Sequence, residues 1–150
     1  MKKWLALVAL ALVVSGCTQE DSHEDHTMHD EDVAIVEVEI INEAVYNPGD
    51  EVTLSARVSQ SGEAVDDAEE VLFEVWESGH YEESQKIEGE LSEDGVYEAT
   101  YTFETEGVFY MFAHTTARDM HVMPKQMITI GNPDPADVLE DNSSDTMNHK

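Results

Sequence analysis

Between residues 33 and 130, apolar side chains recur at every second position, and turn residues break the pattern at short intervals. In "VTLSARV", Val52, Leu54, Ala56 and Val58 share one face, and Thr53, Ser55 and Arg57 share the other. Val36, Val38 and Ile40 alternate with Glu37 and Glu39, and Tyr97, Ala99, Tyr101 and Phe103 with Glu98, Thr100 and Thr102. Val71, Phe73 and Val75 mark another strand, Ile87, Gly89 and Leu91 a weaker one, and Ile128 and Ile130 the last. A period of two is the mark of half-buried strands. Asn47-Pro48-Gly49-Asp50, Ser61-Gly62, Asp94-Gly95 and Glu106-Gly107 supply turn chemistry between them. No long helical period and no internal repeat occurs. About seven short strands with such frequent turns predict an all-β fold, an immunoglobulin-like antiparallel β-sandwich.

The stretch "GVFYMFAHTT" is apolar on both sides. Counting in twos from Gly107 places Phe109, Met111 and Ala113 inward. Tyr110, Phe112 and His114 then point outward, as do Leu72 and Trp76 on a neighbouring strand and Met127 on the last. Leu72, Trp76, Tyr110, Phe112 and Met127 would form an exposed apolar face, which usually marks a docking surface. A slip of one residue would invert every side chain.

The ends of the domain differ from it. Met1-Lys2-Lys3 precedes an apolar run from Trp4 to Val14, which ends in Val14-Ser15-Gly16-Cys17. The run is too short to span a bilayer, which takes about 20 residues, and residues 1–16 read as a signal peptide. Small residues followed by Cys resemble the bacterial lipobox, which implies cleavage before Cys17 and diacylglycerol on its sulfur. The lipid bilayer is then a partner through acylated Cys17, on the extracytoplasmic side of the cell membrane. Cys17 is the only cysteine, so a thiol nucleophile, a CxxC redox pair and a thiolate metal site are excluded. Residues 17–32, rich in His and acid, and residues 131–150, with two prolines and many acids, have no apolar period and read as a disordered tether and tail.

Charge narrows the partners. Lys and Arg number 7 against 34 Asp and Glu, a net charge of −27, and loss of Lys2 and Lys3 with the leader makes it more negative. Nucleic acid, which needs clustered cations, is excluded as a partner, and a membrane hold must come from lipid rather than charge. No nucleophile elbow, phosphate loop or HExxH motif occurs, so the expectation is a protein that is not an enzyme.

Against this background, "FAHTTARDMHVMPKQM" gathers His114, His121, Met120, Met123 and Met127 beside Arg118 and Lys125. Imidazole and thioether without thiolate suit copper better than zinc, calcium or magnesium. His121 and Met123, two apart in an extended segment, would project to one side. Met120 is adjacent and His114 lies across a hairpin. These four define a candidate Cu(I) site, against which the two basic residues weigh mildly. His23, His26 and His29, spaced by three, form a second, weaker set on the tether.

"FEVWESGH" (73–80), "GVYEATYTFETEGVFYMFAH" (95–114) and "TARDMHVMPKQ" (116–126) resemble the YtkA-like domain of bacterial lipoproteins, over residues 33–130. The resemblance leans most on the last motif. It implies a small immunoglobulin-like sandwich outside the cytoplasmic membrane, associated with copper handling and the assembly of a membrane respiratory oxidase complex. It also implies His80, His114, His121 and Met123 as site residues. The family often carries Gly where this chain has Asp119, and Asp tolerates the left-handed backbone at some cost. Two functions follow: a membrane-anchored copper-binding or copper-delivery lipoprotein, or a metal-free module that docks on a membrane complex through the apolar face.

The anchor is testable from the sequence alone. Each buried CH₂ of an acyl chain contributes about 0.8 kcal/mol to membrane binding. Cys17→Ser should therefore leave the protein unprocessed or release it in fractionation at high salt. A processed mutant that stays with the membrane would overturn the lipoprotein reading.

Overall fold

The computed structural model describes residues 33–143. The expected signal peptide, Cys17, and the expected tether with His23, His26 and His29 lie outside the described residues. The strands are β1 (Val36–Ile40), β2 (Val45–Tyr46), β3 (Glu51–Gln60), β4 (Glu63–Ala64), β5 (Glu70–Glu77) and β6 (Gln85–Glu88), followed by β7 (Glu90–Glu93), β8 (Val96–Thr102), β9 (Gly107–Ala117), β10 (Met120–Val122) and β11 (Lys125–Ile130). A single 3-10 turn, Tyr81–Glu83, joins β5 to β6.

Two sheets face each other. One runs β1-β3-β8-β7 with β4 beside β3, and the other β2-β11-β9-β5-β6 with β10 beside β9. This is the expected all-β sandwich, compatible with the immunoglobulin type. The pairs are antiparallel except β2 with β11, which run parallel. The strand count exceeds seven for two reasons. β2, β4 and β10 are two or three residues long, too short to show a period. The weak run 85–93 is two strands, because the chain leaves one sheet at Gly89 and enters the other. A Cβ at Gly89 would sit 2.8 Å from the Phe73 ring, so only Gly crosses here without displacing a core side chain.

The core holds the residues that the period places inward. Val52, Leu54, Ala56 and Val58 of β3 face Phe73 and Val75 of β5, Phe109, Met111 and Ala113 of β9, and Ile128 and Ile130 of β11. The face assignment for β9 is therefore as expected. Tyr97 pins the link between β4 and β5, accepting from Ala68 N and donating to Val65 O, both at 3.0 Å. The β9–β10 hairpin turns on Arg118 and Asp119, with φ of 53° and 61°. Both central residues of this two-residue hairpin are left-handed, and neither is Gly. Asp119 occupies the conformation for which Gly is the easier residue.

One expectation fails. Residues 131–143 are an ordered covering rather than a disordered tail. Glu106 Oε2 accepts from Asn132 N at 2.8 Å, Ser78 Oγ donates to Leu139 O at 2.5 Å, and Tyr81 N donates to Asn142 Oδ1 at 3.0 Å. The segment shows no apolar period because carbonyls, a carboxylate and an amide hold it rather than a hydrophobic stripe. Residues 144–150 lie outside the described residues.

Met111 is fully buried between the sheets. Met111→Ala should lower stability by about 2–5 kcal/mol in denaturant titration, through lost transfer and cavity terms.

Candidate functional site

The outer side of the second sheet carries the candidate residues. On β9, His114 and Thr116 point outward. β10 pairs back so that His121 stands opposite Thr116, which places its ring beside that of His114, with centroids 5.7 Å apart. Met120 stands opposite Ala117 and packs against the core. Neighbours on a strand face opposite ways, so the structure puts Met120 on the inner face, away from His121. Met123 is half-buried in the link between β10 and β11. Pro124 O, in the same link, accepts from Ala113 N at 3.1 Å. His80 lies past the end of β5, whereas His114 pairs with Leu72 near its start. The five steps from Leu72 to Glu77 span about 16 Å of strand, so His80 belongs to the other end of the sheet. There it lines a cavity of 160 Å³ with Glu77 and Glu106.

The residue that sequence reasoning missed is Glu74. It is buried on the outer face, in the row of Leu72 and Trp76. Its Oε2 lies 2.7 Å from His114 Nε2, and its Oε1 accepts from Ser84 Oγ at 2.6 Å. Tyr81 OH donates to Oε2 at 3.3 Å. Burial pushes the Glu74 carboxyl up, but hydrogen bonds from Ser84 and His114 and the Lys86 charge outweigh it and hold it below its usual range. A lone acid interrupting the apolar run "VLFEVW" was the available signal.

These contacts decide which ring nitrogens are open. With Nε2 of His114 directed at Glu74, Nδ1 is the ring nitrogen that the carboxylate leaves open. His121 Nδ1 meets Thr116 Oγ1 at 3.2 Å, which leaves Nε2 to His121. A carboxylate that orients an imidazole in this way is the usual outer support of a metal-ligating histidine. Among the described residues, no group of three His, Cys, Asp or Glu converges as a metal site. Of the candidate residues, His114 and His121 are the two whose rings the structure brings together. Both neighbouring cations are already paired: Arg118 with Asp67 at 2.7 Å, and Lys125 with Asp141 at 2.6 Å. Their opposition to a bound cation is reduced accordingly.

The expected docking face is largely covered. Trp76 is 2% and Phe112 5% exposed, Leu72 and Tyr110 are half-buried, and only Met127, at 52%, stands open. Tyr81 sets its ring edge-on to Trp76 at 5.0 Å. Trp76 Nε1 donates to Asp141 Oδ1 at 3.0 Å. Phe112 touches Trp76 at 4.9 Å and His114 at 5.4 Å. The correction has a physical cause: indole and phenyl rings on an outer sheet face are stable under cover, and residues 139–143 supply it.

Fold and site together define a small two-sheet β-sandwich with two neighbouring histidines at one rim, one of them held by a buried carboxylate. The YtkA-like family model matches residues 30–114, and the chain belongs to that family. The match includes Glu74, His80 and His114 and stops before 116–126, the motif on which the resemblance leans most. No curated protein matches the chain.

Removing the Glu74 carboxylate should unsettle this rim. Glu74→Ala leaves His114 and Ser84 without this acceptor. It should cost about 1–3 kcal/mol in chemical denaturation, the range for stranded buried polar groups. A neutral effect would show that the pair is solvated.

Proposed function

We propose that this YtkA-like chain is an extracytoplasmic lipoprotein, held to the cell membrane by acylated Cys17, that binds copper and assists its delivery, with respiratory oxidase assembly as the destination. His114 and His121 are the proposed ligands, and Met123 the proposed thioether. One observation carries the reading: the two rings stand 5.7 Å apart on one face, and a buried carboxylate holds the Nε2 of His114. That leaves one imidazole nitrogen of each residue for a metal. Copper suits nitrogen with thioether sulfur. Met120 no longer belongs to the set. His80 remains a separate, weaker candidate with the tether histidines His23, His26 and His29.

The site needs no resident charge from the protein beyond Glu74, because Arg118 and Lys125 have their own carboxylates. The sulfur ligand favours Cu(I) over Cu(II). When bound, copper would supply a transferable soft ion, and the protein's part is to orient two imidazoles and give the metal an exit at the rim, where His121 is exposed.

Competition with a Cu(I) chelator on single mutants tests this. His114→Ala, His121→Ala and Met123→Ala should each weaken Cu(I) binding, with the Met123 loss smaller for Cu(II). Glu74→Gln should weaken it about 10–100-fold, the usual effect of removing an orienting partner. His23→Ala should leave the tight site unchanged. Unchanged affinity in both His121→Ala and Met123→Ala would sink the copper reading and leave the metal-free interaction module.

A further inference from the structure

The segment 139–143 is held by one main-chain carbonyl and by the side chains of Asp141 and Asn142. Leu139 presents its main-chain carbonyl to Ser78 Oγ, and Asn142 presents its side-chain carbonyl to Tyr81 N. Between them Asp141 presents a carboxylate: Oδ1 accepts from Trp76 Nε1 at 3.0 Å, and Oδ2 from Lys125 Nζ at 2.6 Å. The Lys125 ammonium also lies 5.4 Å from the Tyr110 ring centre and 5.8 Å from that of Phe112. An indole N–H and an ammonium over aromatic faces form a socket for one carboxylate.

We propose that this outer aromatic face is a peptide-recognition groove, occupied in this structure by residues 139–143 as a displaceable strap. Its partner is a segment of another protein in which an Asp or Glu is followed by small uncharged polar residues. The strap itself spells that chemistry, because Asp141 is followed by Asn142 and Ser143.

Three features support exchange with an outside peptide. First, the strap adds nothing to the core cluster, whose members run from Val36 to Ile130, and Leu139 stays 55% exposed. Its hold combines the cover it gives Trp76 and Phe112, the Asp141–Lys125 ion pair and hydrogen bonds of about 1 kcal/mol net each, which a partner that seats a carboxylate and covers the same rings reproduces in kind. Second, the carboxylate is read in its charged form. Burial pushes the Asp141 carboxyl up, and the bonds from Lys125, Ser143 and Trp76 more than offset it. Third, the chain's large negative charge selects against densely acidic partners at long range. At physiological salt that repulsion fades beyond about 8 Å, whereas the short pair at Lys125 persists. A seated carboxylate followed by uncharged residues, rather than a long acidic run, is therefore the favoured ligand.

The inference is independent of copper, so the test is run with a metal chelator present. The probe is a synthetic peptide of residues 138–144, Val-Leu-Glu-Asp-Asn-Ser-Ser, titrated by calorimetry into the full chain and into a chain ending at Val138. The truncated chain retains every member of the core cluster, and its melting curve checks its fold. The expected result is binding to the truncated chain, at least tenfold tighter than to the full chain, whose strap competes. A peptide with Asn in place of the Asp, or a truncated chain carrying Lys125→Ala, should bind at least tenfold more weakly. Full-length Asp141→Asn, which keeps the segment but loosens it, should recover binding of the unaltered peptide and serves if the truncated chain does not fold. No binding by either opened protein, or binding indifferent to the Asp and to Lys125, would overturn the groove. Equal affinity of the full and opened chains would overturn the strap.

Discussion

The outer face of the second sheet has to be kept from water, and much of the rest of the molecule answers to that need. β9 is apolar on both sides, with Phe109, Met111 and Ala113 in the core and Phe112 outside. β5 adds Trp76 beside it. A single sheet can bury only one face in the sandwich, so the second face needs its own cover. The turn at Tyr81 and the segment 139–143 supply it. Each brings polar groups to the indole rim, where Trp76 Nε1 requires an acceptor. Glu74 belongs to the same constraint. An acid in the middle of that face stays ionised only where hydrogen bonds replace water, and Ser84, Tyr81 and His114 do so. The orientation of His114 thus follows from the burial of Glu74.

The sandwich was legible because alternation is a direct consequence of strands with one wet face. β3 and β8 show it plainly, and the inward register of β9 followed from counting in twos from Gly107. The limits were also physical. A strand of two residues has no period to read, which hid β2 and β4. Gly89 looked like a weak point in one strand, yet it is where the chain changes sheets beneath Phe73. Residues 131–143 looked disordered because composition registers apolar burial. A segment docked by Asp141, Asn142 and a main-chain carbonyl leaves no such trace.

For the candidate site, the hairpin logic that set His121 beside His114 came from sequence, and Met120 was placed with them by proximity along the chain. Proximity is the wrong measure on a strand. Met120 and His121 are adjacent and therefore face apart, and the register against Ala117 and Thr116 settles which one is inside. Glu74 was overlooked because acids are common in this chain, so one more carried no weight. Its position in an apolar row, rather than its type, was the informative fact. The family match reaches His114 and stops short of His121, so the second imidazole rests on geometry alone.

The covered face and the histidine rim are neighbours in one row of rings. Tyr81 meets Trp76, Trp76 meets Phe112, Phe112 meets His114 and His114 meets His121, with successive centroids 5.0, 4.9, 5.4 and 5.7 Å apart. Tyr81 touches both ends of the arrangement: its amide donates to Asn142 of the strap, and its hydroxyl to Glu74. The two bonds differ in consequence. Losing the amide bond frees a backbone group in a turn at the surface, where water replaces Asn142. Losing the hydroxyl removes one of three donors to a buried carboxylate, for which water has no easy route. The strap can therefore leave while Glu74 keeps Ser84 and His114. His114 stays oriented with the face either covered or open, because its anchor is Glu74 on β5 rather than a residue of the segment 139–143.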